Sequence, residues 1–425
     1  MGQTLSEKII ARAAGRPAVR PGEVVTCAVD LAMMHDSGGP RRVAPMLERL
    51  GVGVWDPARV VVVSDHYVPA ADADGAAILD LTRRWVKTAG IARFHDMQGI
   101  CHVVLPEHGH LRPGMFAVGG DSHSSTAGAF GCFMIGIGAT EMAGVLATGK
   151  IWVRVPTTLR VRCTGRLGPG VSGKDVMLAL CARLGPGGAN YKAVEYDGEA
   201  VAAMPMSERM VLANMAAELG AKTAVIAPDD ATRTALAEAG AGDIDIAPWR
   251  SDPDAEYENV LELDATALAP QVAAPHSPAH AADVEAFVGT PIDQAYVGAC
   301  TGAKLADLRM AARVLRGRRV ARDVRLLVAP ASVRTTREAA ADGTLAALLD
   351  AGAYLLPSAC GACAGLGAGL LADGEVCIST TARNYKGRMG AAGARVYLAS
   401  PYTVAASAAA GRIVDPRPLL AEVGP

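Results

Sequence analysis

The chain has 425 residues, enough for two to four domains. Hydrophobic residues make up 51 % and charged residues 20 %, a composition able to bury a large core. The formal net charge is −2 with no basic block, which excludes the electrostatic footprint of a nucleic-acid binder. Nine cysteines without paired spacing do not make a disulfide framework. No apolar run approaches the ~20 residues that span a bilayer. Residues 1–12 read as a polar-capped amphipathic helix rather than a signal peptide. A reducing cytoplasm is the expected location, with neither membrane nor nucleic acid as a partner.

Short Val- and Ile-rich runs alternate with longer helical patterns. Residues 59–64 read as a buried strand, bounded by Pro57 and by Asp65-His66, and 75–90 as a helix by apolar spacing. A strand over 115–119 precedes Asp121-Ser-His123 and a Gly/Ala-rich helix from about 136 to 149. Residues 153–163 read as a strand pair, and 206–220 as an amphipathic helix with Ser207 as its N-cap. The stretch 268–285, with Pro270, Pro275 and Pro278, reads as a linker. A helix over 303–315, a strand over 324–328 and a helix over 335–349 follow. The alternation predicts an α/β fold with largely parallel sheets and no short-period repeat.

The chemistry-bearing side chains fall where strands end. Asp65 and His66 follow the Val run, His102 follows Gly99-Ile-Cys, Asp121 and His123 follow Val118-Gly-Gly, and Cys300 follows Tyr296-Val-Gly. Ligands of open α/β sheets bind outside the carboxyl ends of strands, so these groups can converge on one cleft. Cys300, Cys360 and Cys363 sit in Val297-Gly-Ala-Cys-Thr-Gly302 and Ser358-Ala-Cys-Gly-Ala-Cys-Ala-Gly365. A Cys-x-x-Cys pair alone is compatible with a zinc half-site, a redox pair or an iron–sulfur cluster. A saturated [4Fe–4S] cluster or an all-cysteine zinc site takes four thiolates. Three on a cubane leave one iron open to act as a Lewis acid on oxygen. Cys27, Cys132, Cys163, Cys181 and Cys377 sit in apolar runs and read as small core residues.

The phrases Cys300-Thr-Gly302, Cys360-Gly-Ala-Cys363, Gly120-Asp-Ser-His-Ser-Ser-Thr126 and Arg383-Asn-Tyr-Lys-Gly-Arg388 resemble the signatures of the aconitase superfamily. Within it, the chain is similar to the large subunits of the 3-isopropylmalate dehydratase and homoaconitase branch. Gly99-Ile-Cys-His102, Tyr191-Lys-Ala-Val-Glu195, Met206-Ser-Glu-Arg-Met210, Ala213-Asn-Met-Ala216 and Asp252-Pro-Asp-Ala-Glu-Tyr257 carry that likeness. It covers essentially the whole chain in order.

The resemblance implies a fold of three α/β subdomains with mixed and parallel sheets around a central cleft. Their bounds are 1–155, 156–269 and 286–425, with a linker over 270–285. It implies that Cys300, Cys360 and Cys363 hold a [4Fe–4S] cluster with one open iron. Asp65-His66, Asp121 with His123, and His102 match the family's acid and imidazole groups. A His oriented by an Asp suits the protonation of a leaving hydroxyl, because the carboxylate stabilises the imidazolium. Glu195 matches a family glutamate near the cluster. Arg383 and Arg388 match carboxylate-binding arginines, whose guanidinium forks suit a dicarboxylate. His35 falls where the family has a substrate-contacting polar side chain. His108, His110, His276 and His280 read as solvated loop residues, and Lys386 as a surface charge.

Two positions depart from the family pattern: Gly302 and Ala382 stand where Asn is usual, removing two amides near the cluster. Tyr385 and Ala362 are milder departures. The family's catalytic base is a serine in a Ser-Ser-Arg loop of a swivelling domain, and no Ser-Ser-Arg occurs here. The resemblance therefore implies a separate small subunit carrying that domain. The expected activity is a hydro-lyase and isomerase acting on a 2-alkylmalate, 2-isopropylmalate of leucine biosynthesis foremost. Homocitrate or homoaconitate, dimethylmalate and methylmalate are alternative substrates. A cluster-sensing RNA-binding role lacks the basic stripe it needs. A structural zinc protein leaves the arginine loop and the Asp-His pairs without a task.

Overall fold

The computed structural model describes residues 2–242 and 244–422, so residue 1 and residues 423–425 at the outer bounds of the expected subdomains lie outside it. Thr4 opens the fold by capping the helix Leu5–Ala13: its hydroxyl accepts from the Glu7 amide, and the Glu7 carboxylate accepts from the Thr4 amide. Among the described residues, no helix is long and apolar enough to cross a membrane.

Three larger sheets follow one another along the chain. The first orders Arg93–Asp96, Val60–Ser64, Leu31–His35, Phe116–Gly119 and Phe133–Gly136, all parallel. Leu31–His35 and Val60–Ser64 are buried at every position, which is why they read as unbroken apolar runs. Helices Pro40–Leu50, Ala73–Thr88 and Ala139–Thr148 accompany this sheet. A second, parallel sheet orders Thr223–Val225, Ala193–Asp197, Thr158–Thr164 and Asn259–Asp264. The third orders Ala281–Asp283, Gln271–Ala273, Arg395–Ala399, Val376–Ser379, Gln294–Val297, Arg325–Val328 and Tyr354–Leu355. Its last five strands are parallel and its first two join antiparallel. A two-stranded antiparallel ribbon, Val24–Ala28 with Lys150–Arg154, completes the sheets. The α/β alternation predicted from sequence is the architecture observed.

Several local expectations are corrected. The Gly/Ala-rich stretch starts its helix only at Ala139, because Phe133–Gly136 is a strand. The supposed strand pair over 153–163 is two strands in different sheets, Lys150–Arg154 and Thr158–Thr164. The helix begun at Met206 has Pro205 at its N-cap, not Ser207, and turns into a 3-10 segment over Ala216–Leu219. The helix expected over 335–349 is two, Val333–Ala341 and Thr344–Asp350, broken at Gly343, whose φ of 81° suits glycine. The linker expected over 270–285 is built into the third sheet: Gln271–Ala273 and Ala281–Asp283 form a hairpin, and Val272 and Ala273 pair with Ala399 and Leu398.

One buried cluster ties the sheets together. Met33, Val61 and Val63 of the first share it with Val161 and Val194 of the second and Val297 and Leu326 of the third. Fully burying each such side chain stabilises by about 1.5–3 kcal/mol. That shared core holds fixed the cleft onto which the strand ends open.

Candidate active site

His35 ends one strand of the first sheet, Asp65 and His66 directly follow the next, and Asp121 and His123 follow Phe116–Gly119. Cys300 follows Gln294–Val297, and Arg383 follows Val376–Ser379. His102 lies in the first turn of the helix Cys101–Glu107. The backbone thus brings the strand-end residues to carboxyl ends as expected, but not His102, which was expected after a strand and instead sits in a helix that begins at Cys101.

Cys300 and Cys363 are buried and Cys360 is partly buried. Burial pushes the Cys300 and Cys360 thiols up, Cys300 to about 12; the next influence is Cys363 on Cys300 and the Asp65 carboxylate on Cys360. Neutral thiols at this site fit ligands that lose their protons when a metal binds. Ala299, just before Cys300, adopts φ 68°, a conformation that costs an ordinary residue roughly 1–2 kcal/mol. The Asn214 amide donates to the Cys300 sulfur at 3.1 Å and to Thr126. Asn214 Oδ1 and Arg388 Nε are buried without a hydrogen-bond partner, and Arg388 lies beside the Cys363 sulfur. Three soft donors flanked by polar groups awaiting partners fit a cubane cluster with three protein ligands and one open iron. A fourth cysteine, Cys101 of the phrase Gly99-Ile-Cys-His102, was given no role in the sequence; it is fully buried, with Asp65, Asp121 and Cys360 as titratable neighbours.

The imidazoles form two linked groups. His66 Nδ1 and Asp65 Oδ1 lie 2.8 Å apart, and the other Asp65 oxygen accepts from the Cys101 amide at 2.7 Å. Asp36 accepts from the amides of Asp65, His66 and Tyr67. Burial works to discharge His66, but Asp65 and Asp36 outweigh it and raise its pKa to about 9. His35 stacks on His66 at 4.1 Å. Burial and then the His66 charge hold the His35 pKa down. It lies 3.0 Å from the Gly120 carbonyl through Nε2 and accepts from the Gly38 amide through Nδ1, the pattern of a neutral ring. In the second group His102 Nε2 is 2.8 Å from Asp121 Oδ1, which also accepts from the His123 amide. The candidate ligand atoms of His35, Asp36, Asp65 and His66 lie within 4.8 Å of one another, as do those of His102, Asp121 and His123.

Glu218 joins this cleft to the arginine loop, and the sequence reading missed it. Its side chain is 1 % exposed. It lies 3.0 Å from His123 Nε2 and accepts from Arg383 Nε at 2.8 Å and from the Tyr385 hydroxyl at 3.1 Å. Burial alone raises its pKa, but His123 and Arg383 bring it below the ordinary value. The expected Glu195 is not part of this group. Its carboxylate accepts from Ser251 at 2.8 Å and Tyr257 at 3.1 Å, and Ser251 accepts in turn from the Leu5 amide. Glu195 thus clasps the second sheet to the N-terminal helix. Arg383 also donates to Ser122 at 2.9 Å.

The remaining expectations divide. Lys386, His276 and His280 are exposed. His108 and His110 are not isolated: with His95 they form a cluster, His95 and His110 Nε2 being 2.7 Å apart and the His95 and His108 rings 4.1 Å apart. At Gly302 a Cβ would lie 2.1 Å from that of Thr380, so the turn accepts glycine as it stands. Ala382 is buried, as are the five cysteines read as core residues.

Comparison with known proteins agrees. The profile of the Aconitase family (aconitate hydratase) matches residues 7–291 and 286–411. The "3-isopropylmalate dehydratase large subunit 1" of Methanopyrus kandleri is 48 % identical, covering 99 % of this chain and 100 % of its own length. The "3-isopropylmalate dehydratase large subunit" of Aquifex aeolicus is 42 % identical over 98 % of this chain and 97 % of its own. The "Probable methanogen homoaconitase large subunit" of Methanosarcina mazei is 45 % identical over 92 % and 98 %. Motifs, fold, family profile and relatives of nearly equal length converge: the chain belongs to the aconitase family.

Proposed function

We propose that this chain is the large, cluster-bearing subunit of a hydro-lyase that dehydrates and rehydrates a 2-alkylmalate, with 2-isopropylmalate as the substrate. The observation that carries the reading is the gathering of three cysteines, two of them buried, with two imidazole–carboxylate groups and the arginine loop in one cleft. Its relatives' names supply the substrate class. In this reading the three sheets are the subdomains around that cleft.

Cys300, Cys360 and Cys363 would hold a [4Fe–4S] cluster, whose open iron supplies Lewis acidity towards substrate oxygens. The chain's own residues do the rest. His66 stays protonated at neutral pH, because its raised pKa of about 9 lies well above it. With Nδ1 engaged by Asp65, its Nε2–H is the proton to give to the leaving hydroxyl. Neutral His35, stacked on it, keeps the ring in place without adding a second positive charge. Arg383 and Arg388 hold substrate carboxylates, and Glu218 aims Arg383. The base that takes the carbon-bound proton is a serine of a separate small subunit that also carries the swivelling domain. A cytoplasmic site of action fits the free cysteines.

Homoaconitase is the second reading, favoured by the Methanosarcina relative, whose identity matches that of the dehydratase large subunits. The test is anaerobic co-purification with a small-subunit partner, an iron and sulfide count, and alkene formation from 2-isopropylmalate, homocitrate, citramalate and dimethylmalate. Turnover of 2-isopropylmalate above the others by a cluster-loaded pair is expected. Preference for homocitrate moves the assignment to the second reading, and a pair without iron overturns both.

A further inference from the structure

Lys174 is the one fully buried lysine side chain among the largest such residues of the core, 1 % exposed. It stands in the first turn of the helix Gly173–Leu184, capped by Ser172. Its ammonium donates to the backbone carbonyls of Thr380 at 3.1 Å and Thr381 at 2.5 Å. Among the described residues no carboxylate lies within ion-pair distance of it. An ammonium taken out of water without a counter-charge is among the costliest groups to bury. Here burial pulls its pKa down to about 8, and the opposing influences are headed by the sulfurs of Cys300 and Cys363. Among the described residues the lysine is thus a cation without an ion-paired carboxylate, and the groups that most favour its charge are the sulfurs of Cys300 and Cys363, ahead of Glu218.

The two carbonyls it holds are also at a junction. The Thr380 carbonyl accepts from Thr301, the neighbour of Cys300, at 2.8 Å. Thr381 donates to the Arg383 carbonyl at 3.2 Å. One ammonium therefore fastens the Cys300 turn to the start of the arginine loop.

We propose that Lys174 is a positioning residue that serves as the fixed counter-cation of the cluster. The inference rests on the cluster reading above. Three thiolates on a resting cubane leave one net negative charge, and net charge is among the factors that set cluster potential. A buried cation fastened through the Thr380 carbonyl to the Cys300 turn favours the state with more negative charge, so it favours reduction. It also limits the cost of placing a dicarboxylate against an already anionic group. The helix N-terminus on which it rides adds partial positive charge of the same sign.

The test compares the cluster-loaded, anaerobically prepared complex with Lys174→Gln and Lys174→Met. Gln keeps donors for the Thr380 and Thr381 carbonyls and loses only the charge; Met loses both. The reduction equilibrium is read by electron paramagnetic resonance of the reduced cluster against poised mediators. Both variants are expected to lower the reduced-to-oxidised ratio at fixed potential about tenfold, equivalent to about 59 mV for a one-electron couple. Lys174→Arg, which keeps the charge, is expected to stay near the parent value. In the parent protein, ε-15N-lysine is expected to show a nitrogen coupling to the reduced cluster that Lys174→Gln removes, which separates it from Lys304, whose ammonium donates to the Cys300 carbonyl at 3.1 Å. A loaded Lys174→Gln protein with unchanged potential, or a parent without lysine nitrogen coupling, overturns the counter-cation role. A parent complex with no iron overturns the cluster reading itself, so the two failures are distinguishable.

Discussion

Exchanging Glu218 and Glu195 in turn for glutamine separates the proposed active-site carboxylate from a scaffold one. Glu218 meets His123, Arg383 and Tyr385, two of those contacts with groups able to carry charge. A glutamine in its place could still accept one of these bonds, but it would leave Arg383 buried against a neutral group. Breaking a buried pair costs about 3–5 kcal/mol, and the surviving bond returns about 1 kcal/mol, so Glu218→Gln should destabilise by about 2–4 kcal/mol. Unfolding entropy for a chain of 425 residues makes that about 2–4 °C in Tm if unfolding is cooperative. Mis-set Arg383 and His123 should lower kcat/KM by about 10²–10³ in the folded complex. Glu195→Gln should behave differently. It weakens the bonds to Ser251 and Tyr257, costs about 1–3 kcal/mol, and leaves kcat/KM of the folded fraction within about threefold. Calorimetry and steady-state alkene formation on the same preparations decide between them. A hundredfold loss in Glu195→Gln with near-parent rates in Glu218→Gln would refute the assignment.

Arg383→Lys removes the fork that engages Glu218 and Ser122 together, and should cut kcat/KM about 10- to 100-fold, seen chiefly as a raised KM in substrate titrations. Glu107 offers a pH signature. Burial lifts its carboxyl from an ordinary 4.5 to about 7, against the Ser332 bond that lowers it. The folded protein therefore holds that proton more tightly than the unfolded chain. The group costs nothing below pH 4.5, and its penalty grows to about 2–3 kcal/mol by pH 7 and above. Glu107→Gln should thus raise Tm more at pH 8 than at pH 5; an equal gain at both would refute the linkage. Asn214→Ala removes a donor to the Cys300 sulfur and should speed loss of the cluster's visible absorbance in air several-fold without changing the stability of the apoprotein by more than about 1–2 kcal/mol.

The cysteines, the Asp-His groups and the arginine loop were legible because each comes as a short phrase at the end of an apolar run. The glutamate was not. Residues Ala193–Tyr196 are all buried, so alternation along that strand carries no sign of which way Glu195 points. Glu218 sits one helical turn beyond Asn214, so both face the cleft, yet it lies past the quoted phrase that ends at Ala216. A buried-facing Asn and Glu at that spacing on an Ala- and Met-rich helix was the available signal. Lys174 was unreadable for a different reason: its partners are backbone carbonyls some two hundred residues away. The helix break at Gly343 was marked only by Asp342-Gly343, and the short strands at 271–273 and 281–283 are too brief to show a period.

That hairpin has a mechanical consequence. A proline-rich connector between two halves of a chain would ordinarily be a hinge, about which a cleft could open to admit substrate and close to exclude water. Here Val272 and Ala273 are bonded to the strand Arg395–Ala399, and the Gln271 amide donates to buried Asp175 of the second unit at 2.8 Å. The connector is stitched to the elements on both sides of it. Amides of 271–273 should exchange with solvent as slowly as those of the central strands. The cleft then behaves as a rigid half-mould, and access to it is governed by whatever covers its mouth from outside.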